Sequence, residues 1–145
     1  MTPKLVSLAA LALAVAGIAA LFILHRFVAT EPVGMAVQVL SAGLMVWARI
    51  TFGARSFHAG ADPTEGGLVT NGPYRYLRHP IYAAVTYFVF AGALSAPSAQ
   101  GVGAATVIAL CLGVRALLEE KLVAAAYPEY RDYAARTKRL IPFLF

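Results

Sequence analysis

Four apolar segments divide the chain, and the polar and charged residues collect between and beyond them. The first, Leu5 to Leu24, contains 20 apolar or small residues in a row. At about 1.5 Å per helical residue this length matches the roughly 30 Å hydrocarbon thickness of a bilayer. The pattern predicts membrane-spanning helices at about residues 5–24, 32–52, 81–95 and 101–118. The third segment is short, so we expect it to be tilted or partly shielded.

Two polar regions complete the predicted architecture. Residues 53–80 form a connection rich in Gly, Pro, Asn, Asp and Arg, and a connection of this length is more often functional than passive. Residues 119–145 mix charged and aromatic side chains, and Glu119 to Thr137 has the composition of an amphipathic helix at the membrane interface. We therefore predict one domain over residues 1–145, an all-α integral membrane bundle of about four transmembrane helices with a C-terminal amphipathic interfacial helix.

The overall composition supports a membrane protein and removes several other classes. Hydrophobic residues make up 60% of the chain and charged residues 13%, and the mean hydropathy is +0.71, so a water-soluble fold of this size would expose too much apolar surface. The single cysteine, Cys111, lies within an apolar run, which excludes a disulfide framework and a cysteine-based zinc site. His25, His58 and His79 do not have the spacing of metal ligands, so we expect no metal.

The positive charges are distributed unevenly between the two sides of the predicted bundle. Of the 12 Lys and Arg residues, only Arg26, between the first and second spans, falls on one side of the membrane, and the other 11 fall on the opposite side. Because basic loops stay in the cytoplasm, we expect both termini and the 53–80 loop to be cytoplasmic, in the inner (cytoplasmic) membrane. The net charge of +5 then reflects membrane loops, and we expect no nucleic-acid partner. Lys4 and the alanines after it also resemble a secretory signal, but the apolar run is longer than a signal peptide usually contains.

A polar cluster stands directly before the third span. Residues 72–82 contain two arginines, one histidine and three tyrosines, and interfacial anchoring is a sufficient explanation for most of them. His79 and Tyr82 are different. Pro80 suits the first turn of a helix, which leaves His79 near the cap and places Tyr82 three residues later, so both side chains can face one pocket.

A second group of ionisable residues lies at the end of the fourth span. Arg115 and Glu119 are four residues apart and share a helical face, and Glu120 adds a second carboxylate. An ordinary helix ion pair of about 0.3 to 0.5 kcal/mol is one explanation. The other is a binding site, with a cationic group on the carboxylate and an anionic substrate on the guanidinium. Because P-loop, nucleophile-elbow and GxGxxG motifs are absent from the sequence, a nucleotide-like cofactor would be held outside a Rossmann domain.

These residues form a series of motifs with a definite order. The motifs are Gly72-Pro73-Tyr74, Arg78-His79-Pro80-Ile81-Tyr82, Arg115 with Glu119-Glu120, Tyr127-Pro128-Glu129-Tyr130, and Arg139-Leu140-Ile141-Pro142. Together they resemble the isoprenylcysteine carboxyl methyltransferase family, whose wider clan includes membrane phospholipid N-methyltransferases. The resemblance covers about Gly66 to Phe145. The chain lacks the additional spans of the eukaryotic members.

The resemblance implies methyl transfer from S-adenosylmethionine, with S-adenosylhomocysteine as product. It implies a cofactor pocket formed by Gly67, Leu68, Val69, Tyr74, His79, Pro80, Ile81, Tyr82 and Glu119. Arg115 would face the substrate, and the catalytic group would be Arg115, Glu119 and Glu120.

The sequence does not decide the chemical class of the methyl acceptor. A carboxylate acceptor is ionised at neutral pH and needs no general base, whereas an amine acceptor needs a group such as Glu120 or His79 to take its proton. We expect carboxyl O-methylation of an isoprenoid, lipid-like or isoprenylcysteine-type substrate, with a phosphatidylethanolamine-type N-methyltransferase as the alternative. A small membrane scaffold or transport-related subunit, in which the ionisable residues only anchor helices, is the alternative of another class. The expected partners are the bilayer and a lipophilic or amphipathic small molecule, and no oligomeric state is predicted.

Overall fold

The chain folds into a helical bundle. The structure is a computed structural model and describes residues 2–53 and 67–141. Its helices are α1 (Pro3–Ile23), α2 (Pro32–Phe52), α3 (Pro80–Ser95), α4 (Ala99–Ala126) and α5 (Tyr130–Arg136), and a 3-10 helix spans Gly72–Arg75. Three of them, α1, α2 and α4, are long and apolar enough to cross a membrane, and α3 is a shorter apolar helix. These features confirm the predicted all-α membrane bundle.

The helices begin where the sequence supplies capping groups. Proline occupies the first turn of α1, α2 and α3, where its missing N–H is not needed. The Thr2 hydroxyl, the Glu31 carboxylate and the Ser98 hydroxyl accept hydrogen bonds from main-chain N–H groups in the first turns of α1, α2 and α4. These bonds satisfy donors that a helix leaves unpaired at its start.

The four apolar helices form a row in the order α2, α3, α4, α1. Helix α1 packs against α4, α2 packs against α3, and α3 packs against α4. The core between α1, α3 and α4 contains Leu21, Val89, Ile108 and several alanines, which allow the backbones to approach closely. The row brings the start of α1, the end of α2, the start of α3 and the end of α4 to the same end of the bundle.

The opposite end of the bundle is fixed by one buried amide. The Gln38 Nε2 group donates to the carbonyl oxygens of Phe27 at 2.8 Å and Phe88 at 3.1 Å, and its Oε1 accepts from the Ala29 N–H at 3.0 Å. The connection between α1 and α2 also crosses Gly92 of α3 so closely that a Cβ there would lie 2.3 Å from the Phe27 carbonyl oxygen. Gln38 is therefore a structural residue that ties this connection to two helices.

The C-terminal region differs from the expected single interfacial helix. Helix α4 continues through both glutamates to Ala126, and a separate short helix begins at Tyr130. Pro128 lies at the break, where its missing N–H and its ring interrupt a continuous helix. Tyr130 and Tyr133 are buried, so α5 directs these rings into the protein. Of the 53–80 loop, residues 54–66 lie outside the described residues.

Candidate active site

The segment leading into α3 has a defined path. Gly72 has a φ of +54°, and a Cβ at this position would lie 2.6 Å from Thr51 Oγ1 at the end of α2. Only glycine meets both requirements without strain. The 3-10 helix then places the Tyr74 ring against Phe52, and Pro80 starts α3 directly after His79. This path brings His79 and Tyr82 side by side.

The imidazole and phenol rings form one wall of the site. The rings of His79 and Tyr82 are nearly parallel, at 4°, with centroids 5.5 Å apart. The His79 Nδ1 atom lies 3.7 Å from Oε2 of Glu119, and the Tyr82 hydroxyl donates to Oε1 of the same carboxylate at 2.5 Å. The N-cap residue and the first turn of α3 thus face a carboxylate near the end of α4.

Arg115 supports this arrangement from inside the bundle. Its Nε donates to the Tyr82 hydroxyl oxygen at 3.1 Å, and its Nη2 donates to Glu119 Oε1 at 3.2 Å. Its Nη1 donates to the main-chain carbonyl of Ser7 in α1 at 3.0 Å. The Arg115 side chain is 3% exposed, whereas that of Glu119 is 21% exposed. Of this ion pair, Glu119 is therefore the residue that a ligand could reach.

Glu120 faces a different set of partners. Arg78 Nε donates to Glu120 Oε1 at 2.9 Å, and Arg139 Nε donates to Oε2 at 3.0 Å. His79 Nε2 lies 3.2 Å from Oε1, within hydrogen-bond distance. The Glu120 side chain is 12% exposed. This carboxylate joins the segment before α3 to the C-terminal region.

The C-terminal region also pairs with the loop through its main chain. Leu77 and Lys138 form a parallel bridge. The Lys138 N–H donates to the Tyr76 carbonyl at 3.0 Å, the Arg78 N–H donates to the Lys138 carbonyl at 2.7 Å, and the His79 N–H donates to the Arg139 carbonyl at 3.1 Å. His79 is thus held by its backbone as well as by its ring.

Helix α5 adds a second link to the loop. The Tyr133 hydroxyl donates to the Tyr74 carbonyl at 2.7 Å. Burial raises the pKa of both tyrosines above the ordinary value of 10.0. The Tyr133 phenol therefore stays protonated and remains a donor across the physiological range.

The predicted site residues are distributed in three ways. The structure brings His79, Tyr82, Arg115, Glu119 and Glu120 into one connected group. Pro80 and Ile81 form the first turn of α3 between two members of this group. Tyr74 lies on the 3-10 helix, and Gly67, Leu68 and Val69 lie half-buried in the segment before it.

Sequence reasoning did not include three residues that complete the group: Arg78, Arg139 and Ser7. Both arginines stand inside the quoted motifs, so their position there was an available signal. Ser7 contributes a main-chain carbonyl, which no sequence pattern reveals.

The geometry suits a cationic ligand with an attached carboxylate. A partly exposed carboxylate beside stacked aromatic rings stabilises ammonium or sulfonium charge, and neighbouring guanidinium groups suit a carboxylate. The residues therefore fit S-adenosylmethionine in chemical type. Within residues 2–53 and 67–141, no group of three or more His, Cys, Asp or Glu side chains is arranged to hold a metal ion.

Comparison with known proteins identifies the family. The family model described as phospholipid methyltransferase matches residues 29–130, which is more than half of the chain. The chain belongs to the phospholipid methyltransferase family. The match confirms the predicted relationship to the membrane methyltransferase clan, although it does not single out the isoprenylcysteine branch.

Two similar proteins carry names connected with metal resistance. The cobalt-zinc-cadmium resistance protein CzcN of Cupriavidus metallidurans is 35% identical over 78 residues, covering 53% of this chain and 36% of that protein. The nickel-cobalt-cadmium resistance protein NccN of Alcaligenes xylosoxydans xylosoxydans is 37% identical over 90 residues, covering 59% of this chain and 40% of that protein. The matches thus span well under half the length of these relatives. No solved structure matches the chain.

Proposed function

We propose that this membrane methyltransferase uses S-adenosylmethionine and methylates the carboxylate of an isoprenoid, lipid-like or isoprenylcysteine-type substrate. The observation that carries the proposal is the Glu119 carboxylate, held by Tyr82 and Arg115 at one end of a membrane bundle while still 21% exposed. Tyr82 and Arg115 both contact Oε1, and a positively charged ligand group would bind at the exposed part of this carboxylate.

Several residues would contribute to binding the cofactor. When bound, S-adenosylmethionine supplies an electrophilic methyl group on a positively charged sulfur. Glu119 and the stacked His79 and Tyr82 rings would bind its cationic part, with Tyr74 and the Gly67 to Val69 segment completing the pocket. Methyl transfer by in-line displacement needs alignment and exclusion of water more than it needs a protein nucleophile, which suits a site formed by packed helices.

The geometry favours a positioning role for Arg115. We expected it from the sequence to face the substrate, but its guanidinium is buried and donates to Ser7, Tyr82 and Glu119. A substrate carboxylate would have to displace one of these acceptors. We therefore propose that Arg115 holds Glu119 and Tyr82 in place, and that the acceptor approaches from the exposed side of Glu119.

An amine acceptor of the phosphatidylethanolamine type is the second candidate. The description of the matched family favours it. An amine must lose a proton, and Glu120 is already engaged by Arg78 and Arg139. His79, which lies between the two carboxylates, is the group placed to accept that proton.

We propose the cytoplasmic membrane as the location, with both termini and the site on the cytoplasmic side. The basis is the uneven distribution of basic residues, of which only Arg26 falls at the other end.

The names of the two relatives refer to metal resistance and state no substrate, and we infer none from them.

Methyl transfer from labelled S-adenosylmethionine to a membrane lipid extract tests the proposal. The purified protein in nanodiscs should label an extractable lipid, and mild alkali should release the label as volatile methanol, because esters hydrolyse and N-methyl groups do not. We expect Glu119→Gln to reduce labelling about tenfold or more, since it removes the charge that faces the cofactor.

The matched control is Glu129→Gln, which removes one carboxylate from the exposed start of α5 and should leave labelling unchanged. Alkali-stable label identifies the amine acceptor instead. Absence of labelled product, or a fully active Glu119→Gln variant, contradicts the proposed function.

A further inference from the structure

The last described residues run alongside the loop that carries His79. Residues 137–140, here named the C-terminal strap, pair in parallel with residues 76–79 through the main-chain bonds described above. Two short parallel segments have little stability by themselves. Something other than the backbone must keep them together.

Glu120 provides that connection. It binds Arg78 from one segment and Arg139 from the other, at 2.9 Å and 3.0 Å. Arg78 in addition donates through Nη1 to the carbonyls of Ala134 at 2.7 Å and Thr137 at 2.6 Å. The carboxylate on α4 therefore fastens both segments to the bundle.

A further hydrogen bond extends the strap along α3. The Tyr87 hydroxyl donates to the Leu140 carbonyl. The strap thus contacts α3 beyond its first turn, and α4 through Arg139. Its position is fixed relative to the two helices that carry the candidate site.

The strap contacts the main chain of His79, and Glu120 contacts its ring. The His79 N–H donates to the Arg139 carbonyl at 3.1 Å, and the ring Nε2 lies 3.2 Å from Glu120. The other face of the same residue forms the wall next to Tyr82. A loosened strap would release the main-chain constraint on His79, and Glu120, without Arg139, would be held less firmly beside the ring.

We propose that the C-terminal strap, fastened by Glu120, positions His79 against Tyr82 and so shapes the pocket for S-adenosylmethionine. Glu120 is then a positioning residue that does not touch the substrate. This inference rests on the proposed function for the identity of the ligand. It replaces the expectation from the sequence that Glu120 acts in catalysis.

The two roles for Glu120 predict different kinetics. A proton acceptor contributes to the chemical step, so its loss lowers kcat at saturating cofactor. A positioning residue for the pocket contributes to cofactor binding, so loosening the strap raises the KM for S-adenosylmethionine and largely preserves kcat at saturation.

Hydrogen exchange measured by mass spectrometry on the full chain in nanodiscs tests the strap without any methyl transfer. The variants are Arg139→Ala, which removes the fastening, and Arg139→Lys, which keeps a positive charge near Glu120. We expect Arg139→Ala to speed exchange in peptides containing residues 76–79 and 137–140 about tenfold, because local opening becomes easier. Arg139→Lys should restore most of the protection.

The control is Arg131→Ala, an equal loss of charge from the exposed face of α5, which should leave this exchange unchanged. Titration of the same proteins with S-adenosylmethionine should show about tenfold weaker binding for Arg139→Ala only. Faster exchange with unchanged affinity overturns the inference, as does unchanged exchange in Arg139→Ala.

The two proposals fail in different ways. Wild-type protein that shows the protected strap yet binds no S-adenosylmethionine refutes the proposed function. Wild-type protein that binds the cofactor while Arg139→Ala loses neither protection nor affinity refutes the role of the strap. A fall in kcat at saturating cofactor in Glu120→Gln, with the KM unchanged, also refutes it and returns Glu120 to catalysis.

Discussion

Two adjacent glutamates have separate partners because a helix turns about 100° per residue. Glu119 faces Tyr82 and Arg115, with an accessible side. Glu120 faces Arg78 and Arg139 and is largely enclosed. The sequence shows two adjacent carboxylates in one motif, whereas the structure separates a partly exposed residue from one enclosed between two arginines.

Replacement of Arg115 tests the role assigned to it. Arg115→Ala removes the buried guanidinium that donates to Tyr82, Glu119 and the Ser7 carbonyl, so we expect the free energy of unfolding to fall by about 3 kcal/mol. Affinity for S-adenosylmethionine should fall together with turnover, because Glu119 and Tyr82 lose their support. Thermal unfolding and calorimetric titration in detergent measure the two effects.

Arg115→Lys keeps the charge and should recover part of the stability. If Arg115 faced the substrate as the sequence suggested, turnover would fall while cofactor affinity stayed intact. That result would contradict the positioning role.

At the scale of elements, the helices were predictable and the path of the C-terminal region was not. Three of the apolar runs coincide with α1, α2 and α3 to within two residues, because membrane helices must satisfy their own backbone and follow apolar sequence directly. The break at Pro128 divides one expected helix in two. The burial of Tyr130 and Tyr133 depends on contacts with residues more than 50 positions away in the chain, such as Tyr74, which periodicity does not encode.

The close packing of α3 gives a prediction at this scale. Gly92→Ala would place a Cβ 2.3 Å from the Phe27 carbonyl oxygen and 2.6 Å from that of Arg26. Because both atoms belong to the backbone, the connection must shift, and we expect a loss of about 1 to 3 kcal/mol in the free energy of unfolding. Thermal unfolding of the purified variant measures it.

Gly103→Ala in α4 is the matched control. A Cβ there meets no described atom within 4 Å, and alanine favours a helix over glycine by up to about 1 kcal/mol. This variant should be as stable as the wild type or slightly more stable. Equal destabilisation by both substitutions would contradict the packing described at Gly92.

At the scale of the whole molecule, the two ends of the bundle differ: one is held by an amide and close packing, and the other collects ionisable and aromatic side chains. The Gln38 amide and the Gly92 contact fix the end between α1 and α2. The other end collects Glu119, Tyr82 and the strap, drawn from the starts and ends of different helices. Spacing predicted that His79 and Tyr82 would face one pocket, and the family resemblance implied that Glu119 would join them. The contribution of α1 through Ser7 depended on helix packing and was not predictable.

Calorimetric titration of S-adenosylmethionine into the detergent-purified protein tests the central claim most directly. The wild type and Glu129→Gln should show the same saturable binding, and Glu119→Gln should bind about tenfold more weakly or worse, because its neutral amide no longer balances the positive charge of the cofactor. A wild-type protein without saturable binding, or a Glu119→Gln variant with unchanged affinity, would contradict the claim that this carboxylate holds the cofactor.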